Sequence, residues 1–148
     1  MSIGKIDLAI MWILAGAVMG APPALGQTRA PFSYMYTLMM DVVGPAGNSM
    51  MERSALRTQG DEDWRRLKQD VVKLVGSTGQ IAFGGTTAPE EQRAKSNEWQ
   101  RWASKLSEAA SAAERAIDHR DRAALLAAND RLAESCEGCH MAFPIGVH

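Results

Sequence analysis

Apolar positions in this chain recur at intervals of three and four residues over four long stretches, the period of helices that each turn one face inward. The first runs from Pro31 to Arg57, with Met35, Leu38, Met39, Val42, Val43, Ala46 and Met50 on the stripe. Gly44-Pro45-Ala46-Gly47 interrupts it. Pro45 has no N–H to give the carbonyl of Asp41, so a kink or a break is predicted there. After a Thr58-Gln59-Gly60 turn, Asp61 is the predicted N-cap of a second helix, and acids at 62 and 63 suit its positive end. The inner face of that helix reads Trp64, Leu67, Val71, Leu74, Val75 and Thr78, and the pattern stops near Phe83.

Phe83-Gly84-Gly85-Thr86-Thr87-Ala88-Pro89 is a loop by composition, and Pro89 with Glu90 and Glu91 suits the first turn of a third helix. That helix carries Trp99, Trp102, Leu106, Ala109, Ala110, Ala113 and Ile117 inward. A break at Asp118-His119-Arg120 leads to Asp121, a second predicted cap. The fourth helix runs through Ala124, Leu125, Ala128 and Leu132 toward the C-terminus. Four helices with short connections and no strand pattern predict an all-α chain folded as an antiparallel four-helix bundle. Alanine crowds helices three and four, either as a helix former on the surface or as the small residue that lets two helices approach closely.

Composition narrows the class. The chain has 148 residues, a formal net charge of -1 and 22% charged residues, which gives one domain of ordinary size and no bulk field for nucleic acid. Residues 1–26 read as an export signal: Lys5, an apolar run from Leu8 to Val18, then Ala24-Leu25-Gly26 as a small-residue cleavage site before Gln27. The run is short for a membrane span and Pro22-Pro23 follow it, so no stable membrane insertion is expected after cleavage. The mature domain would then be residues 27–148.

The chemistry sits at the end of the fourth helix. Cys136-Glu137-Gly138-Cys139-His140 reads C-x-x-C-H, the attachment signature of a c-type haem. Two thiols one helical turn apart can add across the two porphyrin vinyl groups, and a histidine one turn on from the first can ligate the iron. The chain has no other cysteine, and its remaining histidines are His119 and His148, too few for a structural zinc site. A redox Cys pair would open a helix within a βαβ unit, and a disulfide over so short a gap stabilises little. One covalent haem c per chain is the expectation, and it agrees with export.

With that motif on the last of four helices, the chain resembles the class II c-type cytochromes: cytochrome c-prime and its low-spin, methionine-ligated relatives. The resemblance spans roughly residues 31 to 143 and rests on Cys136, Cys139, His140, the following Phe143, and Trp99, Trp102 and Leu106 on helix three. It departs at Met141-Ala142-Phe143-Pro144, where the family's basic residue near the haem is missing. In the family the first helix supplies the residue on the open side of the iron. The run Leu38-Met39-Met40-Asp41-Val42-Val43-Gly44-Pro45 resembles a methionine-bearing segment, so His140 is implied as proximal ligand and Met39 as distal ligand. Met35 and Met40 are the alternatives, and methionines at helical spacing also serve as soft core filler. Trp102 and Trp99 would pack on the porphyrin or in the core, and Arg93 would pair with a propionate or stay solvated.

The expected function is therefore a periplasmic one-electron carrier, not an enzyme, that meets redox partner proteins through transient contacts. The alternative is a five-coordinate haem protein binding small gases such as nitric oxide or carbon monoxide. A peroxidase would want a polar distal acid–base group, and the first helix has no His or Arg before Arg53. Dimerisation through the first two helices is an open expectation.

Overall fold

The computed structural model describes residues 33–56 and 60–144. The expected signal segment, the start of the first stripe at Pro31, most of the Thr58–Gly60 turn and His148 lie outside the described residues. The elements in order are α1 (Tyr34–Leu38), a π-helical segment (Met39–Val43), α2 (Gly44–Ser54), α3 (Asp61–Phe83), α4 (Ala88–Ala94), α5 (Asn97–Asp118) and α6 (Arg122–Ala142). No strand occurs among the described residues.

The first three pieces form one helical rod, because Met39 and Gly44, at the joints, both keep right-handed helical angles. Pro45 neither ends it nor stands in an ordinary helical turn. The N–H of Gly44 reaches back five residues to the carbonyl of Met39, which makes the turn before Pro45 a π-turn. Proline at the start of α2 then costs little, since the widened turn precedes it. Gly44 is the residue that permits this: a Cβ there would lie 2.9 Å from the Met39 carbonyl oxygen.

Each rod runs antiparallel to its neighbours. Tyr34 Oη donates to Gln80 Oε1 at 2.7 Å at one end of the first rod, and Arg53 pairs with Asp63 at 3.2 Å at the other. Between α3 and α5, Trp99 Nε1 donates to the Ile81 carbonyl at 2.8 Å, and Lys68 bridges Glu114 and Asp118 at the far end. Lys105 pairs with Glu134 across α5 and α6. Asn129 of α6 donates to the Met50 carbonyl and to Ser54 Oγ, which closes the ring. This is the expected antiparallel four-helix bundle. The exposed ion pairs mark the register but hold little, about 0–1 kcal/mol each. Burial of Met50, Leu67, Val71, Ala110, Ala113, Leu125 and Ala128 carries the fold.

Several local expectations need correction. Gly60, not Asp61, is the N-cap of α3, and Asp63 turns back to accept the Gly60 N–H at 3.2 Å. The third helix is divided: α4 stops at Ala94 and Ser96 caps a new start, its hydroxyl accepting from Trp99 N. Asp121 caps α6 as expected. Ala124 is exposed, whereas Asp70, Ser77, Asn129 and Ser135 are buried. Ser77 and Ser135 escape an apolar count because their hydroxyls donate to carbonyls of their own helices, Lys73 and Leu132, and so cost little inside. Both readings of the alanines hold, one for each subset. Ala109, Ala110, Ala113 and Ala128 are buried, while Ala123, Ala124 and Ala127 face solvent.

Gly44→Ala should destabilise the protein by about 1–3 kcal/mol, the usual cost of forcing extra volume into a closed contact. Urea unfolding would show a lower midpoint with an unchanged slope.

Candidate functional site

The pentad lies within α6, so residues 136, 139 and 140 are fixed one helical turn apart by the backbone itself. Gly138 faces inward, Cys136 and Cys139 are half-buried against the bundle, and His140 is exposed. Both thiols are free. Burial pushes each of them above the ordinary cysteine value; a hydrogen bond with Ser135 partly offsets this at Cys136, and Cys136 adds to it at Cys139. The thiols are therefore neutral near pH 7. Among the described residues no group of three or more His, Cys, Asp or Glu side chains gathers to hold a metal ion.

Beside the pentad runs an open groove of about 420 Å³, lined by Met51, Ala133, Cys136, Glu137, His140 and Met141. It lies between α2 and α6. None of its six lining residues comes from α5, which packs closely on α6 beside Gly138. The ring of Trp102 lies against Gly138 so tightly that a Cβ there would come within 2.1 Å of it. Lys105 Nζ stands 4.6 Å and the Arg101 guanidinium 5.6 Å from the centre of that ring. The Trp102 indole N–H is buried without a partner, a donor left over by the protein itself. Trp99 is instead a core aromatic, edge-on to Phe143 with centroids 5.1 Å apart.

These residues fit a large, flat, mostly apolar group fastened to α6. Two neutral thiols at one-turn spacing face the bundle, an imidazole shares a groove with one of them, and an indole with a spare donor covers the backbone between them.

The methionines separate by position. Met35 and Met39 are half-buried against the core, Met40 is 56% exposed, and Met50 is fully buried. Met51, which the sequence analysis did not single out, lines the groove with Cys136 and His140. Its signal was only its adjacency to Met50, which points into the core. The hydrogen bonds of Asn129 give a reference point for the register of the first helix on α6. They place Asn129 opposite Met50 and Ser54, and antiparallel helices rise about 1.5 Å per residue in opposite senses. Counted from that pair along straight antiparallel helices, residues 39 to 43 fall nearest the level of His140, and Met51 falls roughly ten residues short of it. Met51 belongs to the far end of the groove.

Arg93 does not reach the groove. It lies on α4, where its Nε donates to the Pro89 carbonyl at 3.4 Å. His119 is exposed at the end of α5 with its Nδ1 2.8 Å from the Arg115 carbonyl, remote from the pentad in sequence and place.

A four-helix bundle with C-x-x-C-H on its last helix defines a c-type haem protein of the helical-bundle class. The family model for Cytochrome C' matches residues 35–144, and the chain belongs to that family. Membership implies covalently bound haem c. No curated protein matches the chain. No described helix is long and apolar enough to cross a membrane.

Gly138→Ala tests the closeness of Trp102. The added methyl meets an indole ring with no room to withdraw from α5, so a loss of about 1–3 kcal/mol is expected in thermal unfolding of the holoprotein.

Proposed function

We propose that this chain is an exported monohaem cytochrome that carries one electron at a time, with His140 as proximal and Met39 as distal ligand. The observation that carries the reading is the register at the pentad. Of the residues level with His140, Met39 and Met40 bear sulfur, and only Met39 is turned to the core. It also opens the π-helical segment, a form that recurs at functional sites because it re-aims side chains.

Bound haem c would supply the one-electron iron couple, and the chain sets its terms. Cys136 and Cys139 would hold the group by thioethers to α6. His140 would donate its imidazole from the same helix, so the proximal geometry is fixed by α6 alone. A Met39 thioether would favour the reduced state and close the sixth position to other ligands. Trp102 would cover the edge of the site at Gly138, with Lys105 and Arg101 above its ring. Redox partner proteins would meet the chain through small transient contacts.

A five-coordinate protein that binds nitric oxide or carbon monoxide is the second reading. Met39 is only half-buried, and Leu38 and Val43 beside it are buried apolar residues that could wall a gas pocket.

The visible spectrum of the matured protein separates the two. Sharp low-spin ferrous bands unchanged by carbon monoxide are expected. Met39→Ala should then give a high-spin spectrum that shifts with carbon monoxide and a lower reduction potential, while Met51→Ala should leave the bands closed. A wild-type spectrum that shifts with carbon monoxide assigns the chain to gas binding.

A further inference from the structure

The first helical rod is out of step with itself by one residue. In a regular α-helix, residues about seven and eleven apart share a face. Met39 would then share the face of Ala46 and Met50, and Met40 that of Gly47 and Met51. The burial is offset from this. Leu38 joins Ala46 and Met50 in the core, at 6%, 1% and 0% exposed. Met39 is half-buried like Gly47 and Met51, and Met40 is exposed like Asn48 and Glu52. The offset arises at the π-turn over Met39–Val43, where the Gly44 N–H reaches the Met39 carbonyl and one more residue is taken into the turn. One inserted residue rotates everything before it by about 100° relative to a regular helix.

The face that Met39 gains is the one that meets the pentad. Met51, on that face, lines the groove with Cys136 and His140. Gly47, between the two methionines, carries no side chain, and a Cβ there would meet nothing within 4 Å, so that face is open along its length. Met40, the next residue round, is turned to solvent.

Two residues make the turn. In a regular helix the Pro45 ring would press on the Asp41 carbonyl and could offer it no N–H, and the widened turn relieves that clash. Gly44 permits the widening, because a Cβ there would lie 2.9 Å from the Met39 carbonyl oxygen. We propose that the Gly44-Pro45 π-turn selects the sulfur ligand: it brings Met39, and not Met40, to the face of the first helix that meets the pentad. Gly44 and Pro45 are positioning residues, and in a regular helix Met40 would take the place of Met39. This rests on the assignment of Met39 as distal ligand.

The test is made on the ferrous holoprotein and follows carbon monoxide binding in the visible spectrum. In the wild-type background, Met39→Ala should speed that binding at least tenfold and Met40→Ala should not. The background is then changed to Gly44→Ala with Pro45→Ala, which keeps the residue count and places the strongest helix former at both positions, so that the turn closes to a regular one. Gly44→Ala alone keeps Pro45, and so crowds the π-turn without replacing it. In the doubly substituted protein the dependence should change hands: Met40→Ala admits carbon monoxide and Met39→Ala does not. Deleting Asp41 from that background removes the inserted residue, restores the phase and should return the dependence to Met39. A merely structural role for Gly44 and Pro45 predicts no such exchange. Dependence that stays on Met39 in the substituted protein overturns the proposal, as does an iron open before either methionine is removed, or dependence on Met40 after the deletion. If the wild-type iron is itself open, or Met39→Ala leaves it closed, the Met39 assignment fails. The phase is then read from nuclear Overhauser contacts of the Met40 methyl group with α6, recorded on the ferrous protein under carbon monoxide. Contacts present in the substituted protein and absent in wild type uphold the π-turn as the device that sets the face, and the same contacts in both overturn it.

Discussion

One buried amide fixes the geometry on which the site depends. Asn129 sits in the core of α6 at a position that an aliphatic side chain would fill by packing alone, and it reaches the first helix at Met50 and Ser54. Apolar contacts tolerate sliding by a turn; a buried hydrogen-bonded pair does not, since each slipped register strands a donor in the core. Polar residues at single core positions of coiled coils set register by the same logic. Here the register decides which first-helix residues stand level with His140. The buried carbonyl of the Asn129 amide has no partner, a cost the core carries for the specificity.

Register alone does not choose a side chain; rotation does. The π-turn at Met39–Val43 inserts a residue into the helical count, so the faces before and after it are not those of a regular 3.6-residue helix. Gly44 makes room for it and Pro45 has no N–H to oppose it. The result is that Met39 lies against the core while Met40 faces out. The sequence Gly-Pro, which reads as a helix breaker, here acts as an adjuster of phase.

Most of the bundle was readable from spacing. The 3–4 pattern places α3, α5 and α6 well because their inward residues are aliphatic or aromatic and their ends are marked by Asp121 and the Gly84-Gly85 pair. What escaped were features whose physics is not apolar periodicity. A serine bonded to its own helix looks polar but packs as a small residue, as at Ser77 and Ser135. The division between α4 and α5 hinges on the Ser96 hydroxyl, which a continuous helical pattern conceals. At the site, Cys136, Cys139 and His140 were legible because covalent chemistry demands one spacing. Trp102 was named without its place, since Gly138 reveals a close neighbour only when the two helices are set side by side. Met51 was not singled out, because it meets the pentad only across elements far apart in the chain.

The division of labour among the helices has a consequence for what such a bundle can become. Everything that would hold the haem on the chain, both thiols and the proximal imidazole, comes from α6, which packs most extensively on α5. What would decide the open side of the iron comes from the first helix, whose Met39 end leans on α3 more than on α6. Anchor and gate are thus mechanically separate. A change of side chain or of phase in the first helix can exchange a closed carrier for an open gas site without disturbing the attachment. The reverse does not hold: moving α6 shifts the thiols, the imidazole and the Asn129 register together. Variation in ligand choice therefore belongs to the first helix, and constraint belongs to the last.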